Sequence, residues 1–309
     1  MNGDTKYLKN GAVVYVDYRG LVPHGHNFFP KDFPELIIDL DKLYKKTNDI
    51  DYLSDKGYLL IVLGKYQEAL KLYLGIEKIK PNRYSTASNL GTLYELIGEN
   101  EKAYQWIKKS IQINPESHKG SEWLHLKILE AKVKHIENVT GQFLIDESFG
   151  EEASPKTDLS KKELEELAQS IYFQVNERIS FIKPKDKVIS VLLFELGNAV
   201  KIIGENENAI RIYNLSKEYG FQDELINSRL VYCHQSQIKK LEELNQKMYG
   251  VIEKVKKSKQ VVDIDEMNQM NQMNQMNTIV IVLSIVSVSL LIGLVIFYFK
   301  WKNLKNLTN

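Results

Sequence analysis

The chain has 309 residues, of which 43% are hydrophobic and 26% are charged, a composition typical of a globular protein. The formal net charge of +1 supplies no basic surface for nucleic acid, so we predict no nucleic-acid partner. The chain has a single cysteine, Cys233, which excludes an intramolecular disulfide.

Residues 1–31 are predicted to form an N-terminal arm. The stretch from Gly11 to Gly20 is rich in valine and tyrosine, which is typical of either a short β hairpin or an extended segment. His24 and His26 could present two imidazoles to a metal ion, but no further histidine or cysteine stands at ligand spacing. We therefore interpret this stretch as an ordinary loop and predict no metal or cofactor.

The next segment, residues 32–136, opens with an amphipathic pattern that predicts a capping helix. Two stretches then repeat at an interval of 34 residues. Their small residues let antiparallel helices approach, their second glycines suit the turn between helices, and their prolines end the second helix. A third copy has the same glycine and alanine spacing but no closing proline. The predicted packing residues are Gly57, Gly64, Ala69, Pro81, Gly91, Gly98, Ala103, Pro115, Gly197, Gly204 and Ala209.

This pattern resembles the tetratricopeptide repeat (TPR) family, and the segments starting at Tyr52, Pro81 and Glu122 look like those of a little-characterised group of bacterial TPR proteins. The resemblance implies an all-α solenoid of helical hairpins whose first helices form a groove for a protein or peptide partner. Chaperone-binding relatives use Lys and Asn where this chain has Ser54 and Tyr58, which argues against a carboxylate clamp. The predicted groove residues are Asp51, Ser54, Tyr58, Ile61, Ser85, Ser88, Thr92 and Glu95.

Helical spacing continues from Ser117 to Lys134, which predicts one long helix with His125 at the small-residue position. Residues 137–159 contain glycine, serine and proline among acidic residues, and they predict a long connecting loop. Ser160 and Glu163 then form a predicted capping box, which begins a second set of TPR-like helices over residues 160–236.

Residues 237–277 are predicted to be a helical stalk followed by a spacer. Apolar residues in the stalk follow heptad spacing over two heptads, so a weak homodimer through a coiled coil and the span remains an alternative to a single helix. The spacer, residues 267–276, repeats Met-Asn-Gln. Its thioethers could bind a soft ion such as Cu(I), but we favour a low-complexity spacer.

Residues 278–299 carry no charge and are long enough to cross a bilayer, and a short basic tail, residues 300–309, follows. The positive-inside bias favours a cytoplasmic tail and extracytoplasmic repeats. That topology requires an export signal, which Met1 to Asn10 do not contain. The alternative is a cytosolic, tail-anchored protein.

No pattern in the sequence combines a nucleophile, a base and a stabilising group, so we predict no catalytic residues and no enzymatic activity. The leading hypothesis is a non-catalytic scaffold, tethered to a membrane, that binds a protein or peptide in its groove. One alternative is a ligand-sensing subunit of a transmembrane signalling complex. A further alternative is an enzyme that uses the insertion at residues 137–157.

Overall fold

The computed structural model describes residues 5–18, 20–259 and 267–305. It has two compact units, Met1–Lys239 and Lys240–Asn309. The first unit is an array of helical hairpins, so the all-α class predicted from the sequence is confirmed. Its elements are β1 (Thr5–Tyr7), β2 (Val13–Val16), α1 (Phe33–Thr47), α2 (Asp51–Val62), α3 (Tyr66–Ile79), α4 (Tyr84–Leu96), α5 (Asn100–Ile113), α6 (Glu122–Val133), α7 (Gly141–Ile145), α8 (Lys161–Ile179), α9 (Lys187–Ile203), α10 (Asn206–Glu218) and the start of α11 (Leu225–Lys259).

The first two hairpins, α2–α3 and α4–α5, follow the 34-residue repeat. Gly64 has a φ of +73°, a left-handed conformation that glycine adopts at low cost in the turn between α2 and α3. Gly57 lies against Tyr73, and a Cβ atom on it would stand 2.5 Å from the Tyr73 ring. The glycine therefore lets the second helix of the hairpin approach the first closely.

The predicted long helix from Ser117 to Lys134 is shorter in the structure. Residues 117–120 form a 3₁₀ turn, and α6 begins only at Glu122. His118 and Lys119 have φ angles of +49° and +56°, which are incompatible with a right-handed helix. The apolar spacing of α6 predicted the helix, but it did not predict this left-handed turn before it.

The region 137–159, predicted to be a connecting loop, contains the short helix α7 and packs on the second half of the array. Leu144, Ile145 and Phe149 are buried in the core that α8 and α9 share. Arg229 of α11 donates a hydrogen bond to the carbonyl of Phe149 at 3.1 Å and another to the carbonyl of Gly150. The region is therefore bound to the array by an arginine as well as by apolar contacts.

The second set of helices begins at the predicted capping box, which the structure confirms. The Ser160 side chain accepts from the Glu163 backbone N–H, and the Glu163 carboxylate accepts from the Ser160 N–H. The third hairpin, α9–α10, turns at Gly204 with a φ of +102°. At its helix crossing, a Cβ atom on Gly197 would stand 2.5 Å from the Tyr213 ring.

The arm is a two-stranded antiparallel hairpin with a bulge between Lys6 and Tyr7. Leu8, Val14 and Tyr15 are buried against Phe33, Leu40 and Leu59, which belong to α1 and α2. A two-stranded hairpin is only marginally stable alone, so this packing is what orders the arm.

The second unit contains the rest of α11 and the helix α12 (Met267–Lys305). Within α12, Val280–Lys300 has a mean hydropathy of 3.0, is not buried, and is long and apolar enough to cross a membrane. Residues 267–276, predicted to be a spacer, lie in the first part of this same helix.

Candidate partner-binding groove

The groove is the face made by the first helices of the hairpins, α2, α4 and α6. At its α2 end, Asp51 forms an ion pair with Arg83, the residue that precedes α4. The Ser54 hydroxyl donates to the Ser85 hydroxyl at 3.4 Å. Ile61 was predicted to face a partner, but it is 1% exposed within the core and offers no surface.

Tyr58, the aromatic residue of the predicted groove, lies under the arm. The Lys6 ammonium stands 5.5 Å from the centre of the Tyr58 ring, close enough for a cation–π contact. Burial raises the pKa of the Tyr58 hydroxyl well above its usual value, and the nearby negative charge of Glu177 raises it further. The groove at this point is therefore covered by the chain itself.

Further along the groove, Ser88, Thr92 and Glu95 line a small cavity of about 50 Å³. The opposite wall comes from α8 and the residues after it, including Arg178 and Phe181. Helix α8 thus lies across the face that was predicted to bind a partner.

Glu95 is the centre of a buried ionic cluster. Its carboxylate accepts from Lys132 Nζ at 2.7 Å, contacts His125 Nε2 at 2.8 Å and lies 3.4 Å from Arg178 Nη2. Burial alone would raise the pKa of Glu95, but Arg178, Lys132 and His125 hold it well below the usual range. The cluster joins α4, α6 and α8, since each helix contributes at least one charged group.

A second buried carboxylate, Glu122, lies beside this cluster. It pairs with His118 and approaches His125 Nδ1 at 3.5 Å. Burial would raise the pKa of Glu122, but hydrogen bonds from the two histidines lower it. The same carboxylate raises the pKa of His118 against the opposing effect of burial.

The loop between β2 and α1 reaches α8 through His26. The imidazole contacts Asp17 at 2.7 Å through Nδ1 and Glu177 of α8 at 2.8 Å through Nε2. Burial would lower the pKa of His26, but Glu177 and Asp17 raise it to about 9. The protonated ring is also stacked on Tyr15, with 3.9 Å between ring centroids.

Residues 85–117, which cover α4 after its first residue, α5 and the turn that follows, match the family model described as the tetratricopeptide repeat. The chain contains the tetratricopeptide repeat.

The solved structures to which the chain is similar include TPR proteins. A thermophilic TPR protein from Thermus thermophilus is 12% identical, and the match covers 66% of this chain and 92% of that one with a TM-score of 0.34. The MamA RS-1 double mutant is 15% identical over 60% of this chain and 84% of its own, with a TM-score of 0.32. A TPR protein from Parabacteroides merdae is 16% identical over 66% and 93%, with a TM-score of 0.28. These similarities carry no inference about function, and no curated protein matches the chain.

Two features of the TPR groove were missed from the sequence. Arg178 lies 83 positions after Glu95, and no local pattern connects them. His26 was interpreted as part of an ordinary loop, although it joins two carboxylates that are far apart in the sequence. The one available signal was His125, because a large polar residue at a small-residue position indicates that the packing there is polar.

An open cleft lies beside the TPR groove, between the start of α6 and the first half of α8. It has a volume of about 560 Å³ and is lined by Trp123, Leu167, Glu163 and Glu166, among others. Trp123 is 37% exposed. Within the described residues, no group of three or more histidine, cysteine, aspartate or glutamate side chains could hold a metal ion.

Proposed function

We propose that this protein is a non-catalytic scaffold, anchored in a membrane by α12, whose TPR array binds a protein or peptide partner in its groove. The observation that supports the scaffold most directly is the stack of helical hairpins around the repeat at residues 85–117. A membrane anchor would also raise the concentration of a bound partner at the membrane surface.

The proposed anchor rests on the composition and exposure of α12. Every described side chain from Val280 to Lys300 is exposed or half-exposed, and most are apolar. Such a surface is costly in water and favourable in lipid. The flanking charges favour a cytoplasmic tail, because Lys300 and further lysines follow the span.

The anchor is tested by alkaline carbonate extraction of membranes that contain the full-length protein. We expect the wild-type chain to stay in the membrane fraction and the variant Leu291→Arg/Val295→Arg to enter the soluble fraction. A matched variant, Lys239→Arg/Lys240→Arg, should behave as the wild type. Extraction of the wild-type chain would contradict the anchor. If the wild-type chain stays in the membrane, protease protection in spheroplasts determines on which side of the membrane the array lies.

The groove is tested by site-specific photo-crosslinking in cells. A photoreactive residue at Ser85, half-buried in the groove, should capture a discrete partner. The same residue at Gln112, exposed on the second helix α5, is the control and should capture none. A partner captured equally well at both positions would contradict the groove. Capture only at Trp123 would assign binding to the neighbouring cleft.

A further inference from the structure

The loop that covers the groove, residues 20–29, is here called the strap. Its backbone is held by α8: the Asn176 side chain accepts from the N–H groups of His24 at 3.1 Å and Gly25 at 3.0 Å. The Ser180 hydroxyl accepts from the His26 N–H at 2.8 Å. These contacts join segments more than 150 positions apart in the sequence.

The strap and its neighbours lie over the α2 end of the groove. Phe28 of the strap and Tyr58 of α2 both pack against the buried cluster that includes Leu59, and the Phe28 ring is 5.9 Å from that of Phe181. Phe181 in turn lines the cavity beside Ser88. The strap therefore lies beside Tyr58, at the α2 end of the groove.

Besides these backbone contacts, the strap is attached to α8 through the imidazole of His26. His26 is in contact with Asp17 and Glu177. His118 and Glu122 also act on Glu177, and Tyr58 and Tyr172 lie within the electrostatic influence of Asp17. Without the imidazole, the Asp17 and Glu177 carboxylates would repel each other without a cation between them. Removal of the imidazole would therefore weaken the attachment of the strap.

We infer that the strap is an autoinhibitory element: it covers Tyr58 and the α2 end of the groove, and the His26 contacts with Asp17 and Glu177 keep it closed. A partner gains access when these contacts open. This inference rests on the proposed function, because it describes how the same groove is regulated. Local opening of a loop held by a few contacts requires less free energy than global unfolding.

The test compares His26→Ala with His24→Ala in the full-length protein. His24 is the matched control, because it lies in the same strap and its side chain is exposed. Opening of the strap is measured by hydrogen exchange of the amides of residues 21–29. Uncovering of the groove is measured by hydroxyl-radical oxidation of Tyr58, with Tyr7 (61% exposed) and Tyr213 (0% exposed) as internal references.

We expect His26→Ala to increase strap exchange by about tenfold and Tyr58 oxidation by about threefold, with Tyr7 and Tyr213 unchanged. His24→Ala should leave all of these values at the wild-type level. Faster strap exchange without oxidation of Tyr58 would overturn the inference, as would unchanged exchange. A parallel rise at Tyr213 would indicate global unfolding and would also overturn it.

The outcome is separable from that of the proposed function. If His26→Ala uncovers Tyr58 and also increases photo-crosslinking at Ser85, both proposals are supported. If Tyr58 is uncovered and crosslinking at Ser85 stays absent, the strap stands and the groove is not the partner site.

Discussion

The hairpin α4–α5 and the hairpin α9–α10 share the same spacing of small residues, yet their first helices have different surroundings. In α9 every residue from Val188 to Val200 is buried, and most of these are apolar. In α4 the buried residues occupy one face, and the other face carries Ser88, Thr92 and Glu95 toward α8. The repeat pattern thus specifies how the two helices of a hairpin contact each other. The residues at the other positions determine how much of the first helix is buried by the rest of the protein.

The largest expected effect comes from removing the Glu95 carboxylate from the buried ionic cluster. Glu95→Ala leaves the guanidinium of Arg178, 6% exposed, without its carboxylate partner. Because an unpaired buried charge is costly, we expect a loss of about 3–5 kcal/mol in the free energy of unfolding. Urea denaturation of the full-length protein in detergent measures it.

Glu99→Ala is the matched control for this change. Glu99 pairs with Lys102, but both side chains are about half-exposed, so solvent screens the interaction. We expect no measurable loss from Glu99→Ala. Equal effects at Glu95 and Glu99 would show that the buried cluster does not stabilise the array.

The packing inside the hairpins is tested by two glycines. Gly57→Ala would place a Cβ atom 2.5 Å from the Tyr73 ring, and we expect a loss of about 1–3 kcal/mol from this overpacking. Gly75 lies inside α3, and a Cβ atom on it would meet no neighbouring atom within 4 Å, so Gly75→Ala should stabilise by about 0.5–1 kcal/mol. Thermal denaturation of both variants checks the opposite signs. Equal signs would contradict the close helix approach.

The pH dependence of stability tests the one carboxylate within α9. Burial raises the pKa of Glu195 to about 7, so the folded state favours its protonated form. The stability that this preference contributes is present below the pKa of the unfolded chain and is lost as pH rises through about 7. Glu195→Gln replaces the neutral acid with an uncharged amide of the same shape. The amide oxygen can accept the hydrogen bond that the Asn198 amide nitrogen donates to the Glu195 carboxylate at 2.8 Å.

At pH 8 we therefore expect Glu195→Gln to be more stable than the wild type by about 2–4 kcal/mol, and at pH 5 by less than about 1 kcal/mol. Denaturant midpoints at the two pH values check this. A variant that is less stable at pH 8 would show that the ionised carboxylate is favoured in the fold, for example through the charge of Arg229.

The sequence predicted the parts of this fold that depend on local spacing. The turn at Gly64, the close approach at Gly57 and the capping box at Ser160 each follow from residues within one or two helical turns or within one repeat. Contacts between distant segments were not predictable in this way. The charge and burial of Glu95 depend on Arg178, and the position of His26 depends on Glu177. Neither pair has a characteristic spacing that could be recognised in a single sequence.

The contact between the strap and α8 also determines when the groove becomes covered during synthesis of the chain. The strap is made early, but its acceptors Asn176 and Ser180 lie more than 150 residues later in the chain. Asn176 follows the last predicted groove residue, Glu95, by 81 residues, so at a synthesis rate of about 5–20 residues per second the groove of a nascent chain is uncovered for roughly 4–16 s. During translation, the first hairpins can therefore meet a partner or a chaperone before their own intramolecular cover exists.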